Sequence, residues 1–116
     1  MRWKDMAQAR QQYLAIKSQH VDNVLLLRSG DFYEAFDNDA RTIATVCGAI
    51  LTSRLIAPDV RVPLVGVPYH SIDAYCTALV QAGHTVAVAE QVAKAPRGAT
   101  VDRVVTGERL VEEVTT

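Results

Sequence analysis

The chain has 116 residues, a formal net charge of −1 from twelve Lys and Arg against thirteen Asp and Glu, and an apolar fraction of 49% with 22% charged residues. That length fits one domain with one core, and the composition excludes a disordered or low-complexity protein. No apolar run reaches the roughly 18 residues of a membrane span and none follows Met1-Arg2-Trp3-Lys4-Asp5, so a cytoplasmic location away from membranes is expected, while near-neutral charge leaves any nucleic-acid role to a local patch.

From about Asp5 to Gln19, Met6, Ala9, Tyr13 and Ile16 recur at three- and four-residue spacing opposite Arg10, Gln11, Gln12 and Lys17. The spacing predicts an amphipathic helix with Asp5 as N-cap and Leu14 at the margin of its apolar face. Val24-Leu25-Leu26-Leu27 then reads as a strand buried on both faces, over about Asn23 to Arg28, and Ser29-Gly30-Asp31 as a turn in which Gly30 is free to take φ > 0. If the chain stays extended through Phe36, the period of two puts Phe32 and Glu34 on one face and Tyr33 and Ala35 on the other.

A second helix is expected to begin at Asp37-Asn38-Asp39, whose side chains can accept first-turn N–H groups. Its apolar face would be Ala40, Ile43, Ala44 and Cys47, and Gly48 would close it. Ala49 to Thr52 is short and β-prone, and Ser53 to Asp59 reads as a candidate mobile loop. Val60 to Val67 is a further strand, with Pro63 pointing to an edge or irregularity and Pro68 ending it. Ser71 caps a helix with the stripe Ile72, Tyr75, Cys76, Leu79 and Val80, and Gly83 lies just past its end. Thr85 to Val92 is a largely buried strand, broken at Ala95-Pro96-Arg97-Gly98. Thr100 to Val105 and Arg109 to Thr115, around Thr106-Gly107, suggest a terminal hairpin. The alternation of helices and strands indicates an α/β fold, a mixed β-sheet flanked by about three helices in a single domain spanning residues 1–116.

Enzyme chemistry finds little to build on. His20, His70 and His84 are far apart without ligand spacing, and Cys47 and Cys76 read as reduced helix residues, so no metal site is expected. The six glycines are isolated, without a phosphate-cradling motif. Asp59 and Glu90 invite comparison with a magnesium nuclease, but no Lys stands two residues after Glu90; no catalytic residue and no cofactor are assigned. Binding is the stronger class. An exposed Phe beside a hydrogen-bonding residue can enter the minor groove as a wedge, whereas periodicity by itself favours a packing role for Phe32.

The segment Arg28-Ser29-Gly30-Asp31-Phe32-Tyr33-Glu34-Ala35-Phe36 closely resembles the mismatch-reading motif of the MutS family, in its N-terminal domain. Gln11-Gln12-Tyr13 with Leu14 and Lys17, Asp39-Ala40, Leu51-Thr52-Ser53-Arg54, Pro63 to His70, and Ala89-Glu90-Gln91-Val92 are similar to further family motifs in the same order, over about residues 8 to 92. The resemblance implies a non-catalytic domain in a mixed sheet flanked by helices. Phe32 would stack on a mispaired or unpaired base from the minor groove and Glu34 would hydrogen-bond it. Arg54 takes the place of a basic residue at DNA; Ser29 and Leu64 fall where neighbouring contacts lie, replacing residues common there. The implied partner is double-stranded DNA carrying a mismatch or distortion, with a dimer or a fused partner to hold it. The family's clamp, dimer contacts and nucleotide-hydrolysing domain have no counterpart in these residues, and its usual Pro-Gly-Thr exit does not occur. The chain therefore reads as an excised domain or a free-standing product. A protein-interaction module retaining the fold is the alternative.

Overall fold

The computed structural model describes residues 2–91 and 99–105, the last stretch and residue 91 by their backbone. Helix α1 spans Trp3–Lys17, strand β1 Asn23–Ser29, β2 Phe32–Phe36, helix α2 Asp37–Cys47, β3 Thr52–Ala57 and β4 Val60–Pro68. A 3₁₀ turn, Tyr69–Ser71, leads into helix α3, Ile72–Gln81, followed by β5 Thr85–Gln91 and β6 Ala99–Val105. The strands form one mixed sheet in the order β3-β4-β2-β1-β5-β6, in which β1 and β5 are parallel and the other neighbours antiparallel. The α/β class with a mixed sheet is as the sequence indicates.

Leu25, Leu26, Val65, Val67, Val86 and Val88 fill the sheet's interior with almost no exposure. The unbroken Leu run of β1 has this cause: a central strand covered on both faces has no solvent side to mark with polar residues. Helix α1 covers one face, where the Tyr13 ring meets Phe36 edge-on at 5.4 Å. Helices α2 and α3 pack on one another and over β4 and β5 on the opposite face, the thiol of Cys47 lying 3.9 Å from the Tyr75 carbonyl. Neither cysteine is in a disulfide; Cys76 is buried and Cys47 half-buried.

Several local expectations need correction. The first helix starts at Trp3 and ends at Lys17, so Asp5 sits inside its first turn, where its charge still favours the positive helix end, and Arg2 takes the cap position. Phe36 takes the cap position of α2 without a side-chain capping bond, and Asp37 and Asp39 stand in the first turn. Asp37 instead takes φ 59° and receives Arg10 Nε and Nη2 at 3.0–3.2 Å, while Asp39 turns inward. Residues 53–57 form strand β3 rather than a loop, leaving Pro58-Asp59 as the turn to β4. As an edge strand with no fully buried residue, β3 lacks the apolar alternation that marks its neighbours. β4 is internal despite Pro63. The β2–β4 ladder ends at Phe36 opposite Leu64, so Pro63 lies one position past the last rung toward β2 and removes none there. Thr100 to Val105 pairs back on β5; the expected break at 95–98 and the second half of a terminal hairpin lie outside the described residues.

Candidate functional site

The β1–β2 hairpin builds the site. Ser29 pairs with Phe32 across Gly30-Asp31, and φ is positive (58°) at Gly30 alone of the two, the pattern of a type II′ turn. A side chain at Gly30 would strain that conformation, although nothing lies within 4 Å of where its Cβ would be. Phe32, at the start of β2, has Ser29 on one side and Pro68 of β4 on the other, and Glu34 lies between Leu27 and Gly66. These residues share one face of the sheet, together with Leu64 and Thr52 further along.

Along that face the strand passes from buried to open. Phe36, beneath α1, is 1% exposed, Glu34 is half-buried, and Phe32 is 49% exposed. The Phe32 ring lies beside Gly66, where an added Cβ would stand 3.7 Å from its Cδ1. Gly66 therefore leaves the ring a smooth backbone floor. Tyr33, pointing the other way, is buried. The two sides of β2 thus separate as the period of two requires, but Phe32 is half-exposed rather than packed as periodicity by itself favours, while Phe36, at the same phase, is core.

Burial holds the Glu34 carboxyl above its ordinary range, and the Ser29 hydroxyl and the Arg54 charge pull it part of the way back. Ser29, Glu34 and Arg54 are thereby brought into one electrostatic neighbourhood beside Phe32. Arg54 is exposed on β3, donating to Thr52 Oγ1 at 2.9 Å and to the Ser53 carbonyl at 3.0 Å. Leu64 stands apart: at 4% exposure, opposite Phe36 and Thr52, its side chain is in the core under the site. Arg41, Arg54 and Arg61 sit around the β3 edge, and among the described residues none of them forms an ion pair. Arg54 shares the phase of Thr52 on the Phe32 face, whereas Arg61, opposite Leu55, has the other phase.

Asp59, in the β3–β4 turn, and Glu90, on β5, are separated by the intervening strands β2 and β1, and Glu90 is engaged with Tyr33 and Arg28. Among the described residues no group of three His, Cys, Asp or Glu side chains could hold a metal ion, and no helix is long and apolar enough to cross a membrane. Two participants carry no signal in the spacing. Gly66 is one isolated glycine among six, and Arg28 ends an apolar run where a strand normally surfaces; only the fold sets the first, opposite Glu34, against the Phe32 ring and the second beside the turn.

The site offers a half-exposed aromatic ring, a half-buried carboxyl whose pKa burial raises, and the Arg54 charge beside it. Such a set can stack on a planar group, exchange hydrogen bonds with it, and neutralise nearby anions. Residues 7–115 match the family model described as MutS domain I. The chain is 41% identical over 113 residues to the DNA mismatch repair protein MutS of Thermotoga neapolitana, covering 93% of this chain and 14% of that protein. It is 50% identical over 82 residues to that of Desulfitobacterium hafniense, covering 71% of this chain and 10% of that protein. Against the MutS of Dehalococcoides mccartyi the figures are 45% over 85 residues, 73% and 10%. The chain thus spans a small fraction of the relatives it matches, and within that span it belongs to the MutS domain I family.

Proposed function

We propose that the chain is a non-catalytic DNA-binding module that recognises mispaired or locally distorted duplex from the minor groove through Phe32 and Glu34, as part of mismatch repair. The observation that carries this reading is Phe32 itself, 49% exposed at the open end of a sheet face whose other aromatic, Phe36, is buried. The ring lies against Gly66 and directly follows the β1–β2 turn. The relatives' names as mismatch repair proteins supply the ligand class.

The chemistry is selective in a simple way. A mismatch or an unpaired base lowers the cost of unstacking, so an inserted ring chooses deformable steps rather than a sequence. Glu34 works in the same direction. A carboxylate is repelled by phosphates and offers an intact duplex little, whereas a displaced base presents hydrogen-bonding groups that a carboxyl can meet. Ser29 orients that carboxyl, Arg54 contacts the backbone, and Leu64 supports the strand from below. A dimer or a fused partner supplies the remaining grip.

Binding of the chain to matched duplex, single mismatch, one-base bulge and single strand at low salt tests the reading. A preference for mismatch or bulge that Glu34→Ala diminishes is expected. Equal binding to all four, or none to any, would return the chain to the protein-interaction alternative.

A further inference from the structure

On the face of the hairpin opposite Phe32, Arg28 lays its guanidinium against two tyrosine rings, 4.7 Å from the Tyr69 centroid and 5.4 Å from that of Tyr33. Its Nε donates to the Gly30 carbonyl at 2.6 Å, and its Nη1 lies 4.0 Å from Glu90 Oε1. The Tyr33 hydroxyl donates to Glu90 Oε2, and the Tyr69 backbone N–H donates to the Asp31 carbonyl at 2.9 Å. Both residues of the turn therefore have their carbonyls tied, Gly30 to β1 and Asp31 to the 3₁₀ turn after β4. Phe32 follows immediately, and its neighbour Tyr33 is itself part of the cluster.

We propose that Arg28, Tyr33, Tyr69 and Glu90 form a clamp that fixes the β1–β2 turn and so positions Phe32 for insertion. The proposal rests on the mismatch reading above. A wedge that must be ordered at the moment of insertion loses affinity to that ordering, and a ring on a turn with untied carbonyls would be such a wedge. The cluster is poorly suited to a purely stabilising role. Tyr69 is 46% exposed and Arg28 and Glu90 are half-buried, so they add little apolar burial to a strand pair whose core is already closed at Leu25 to Leu27. What the cluster holds is the turn. These four are positioning residues: none needs to touch the base.

The test pairs hydrogen exchange of the DNA-free chain with the bulge-to-match affinity ratio, for Tyr69→Ala, Tyr69→Phe and Glu90→Gln. Tyr69→Ala and Glu90→Gln are expected to speed exchange at Asp31, Phe32 and Tyr69 severalfold, with β3–β4 amides unchanged, and to lower the affinity ratio at least threefold. Tyr69→Phe, which keeps the ring, is expected to preserve both. Glu90→Gln separates the clamp from direct contact, because removing a negative charge strengthens general DNA binding while a loosened turn lowers the preference. Unchanged exchange at the turn overturns the clamp whatever happens on DNA. Faster exchange with an intact ratio overturns its role in positioning Phe32. A Phe32→Ala chain that retains the preference overturns the mismatch reading instead, and the exchange arm still decides whether the clamp holds the turn.

Discussion

At the scale of single residues, Glu34 is the side chain whose behaviour is most sharply constrained. Its folded-state pKa lies above the ordinary 4.5, burial being the first cause. The folded chain therefore holds this proton to higher pH than the unfolded chain does. Whatever stability the group contributes is present below about the ordinary value and is lost as pH rises through the folded pKa. Phosphates nearby act in the same sense, favouring the protonated form, which can also donate a hydrogen bond to a base acceptor. Bulge affinity should accordingly rise as pH falls into the range where Glu34 takes up its proton, by at most about tenfold per unit for one proton taken up. Titrations at several pH values check this, and Glu34→Gln should flatten the dependence; an unchanged slope in that variant would place the proton elsewhere. Arg54 belongs to a different class of contact. If it meets a phosphate, Arg54→Ala should weaken matched and mismatched duplex alike and reduce the salt slope by about one. A loss confined to mismatched DNA would give it a base-reading role.

At the scale of elements, the fold is tied together where α1, β1 and α2 meet. Asp39, 8% exposed, accepts the Leu25 N–H at 3.1 Å and lies 2.9 Å from Lys17 Nζ, which also reaches the Asn23 carbonyl. The Tyr13 hydroxyl stands 2.8 Å from Asp39 Oδ2 and 2.6 Å from the Leu25 carbonyl, donating to one acceptor at a time. Burial, and then the Asp39 charge, push the Tyr13 phenol well above its ordinary pKa, so it stays a donor. Urea unfolding should give a loss of about 3 kcal/mol for Asp39→Ala, which strands Lys17 in a half-buried site, and about 1 kcal/mol for Tyr13→Phe. Equal small losses would mean that water replaces the carboxylate easily. Asp39 also marks how far sequence carries. A carboxylate after a strand reads as a helix cap, and only the third dimension brings Tyr13 and Lys17, at i and i+4 on α1, onto it. Elements with a strong period, α3 and β1 among them, are legible because burial writes itself into their spacing. The edge strand β3 is not, since half-exposed residues have no phase to display, and β6 is recognisable as β-prone although its pairing with β5 is not. At the site the alternation fixes which residues share a face, but exposure of Phe32 depends on where α1 ends over the sheet.

At the scale of the whole molecule, affinity is the question. A net charge of −1 gives no long-range attraction to DNA, and the arginines around β3 are a small patch against that background. One wedge and a few phosphate contacts should bind weakly and lose affinity steeply with salt. Joining two copies by a flexible linker, or fusing the chain to a nonspecific DNA-binding domain, should raise affinity by about 10²–10⁴ without altering the preference for distorted duplex, as competition assays would record. No gain would mean that two copies cannot engage one duplex. The central claim is that one half-exposed ring does the discriminating, and the most direct measurement is the ratio of dissociation constants for matched and one-base-bulged duplex at low salt, for the chain and for Phe32→Ala. Loss of a base stack is worth about 1–3 kcal/mol, so the ratio should collapse toward unity, from roughly fivefold or more, while affinity for matched duplex barely changes. A Phe32→Ala chain that keeps its preference for the bulge would contradict the account.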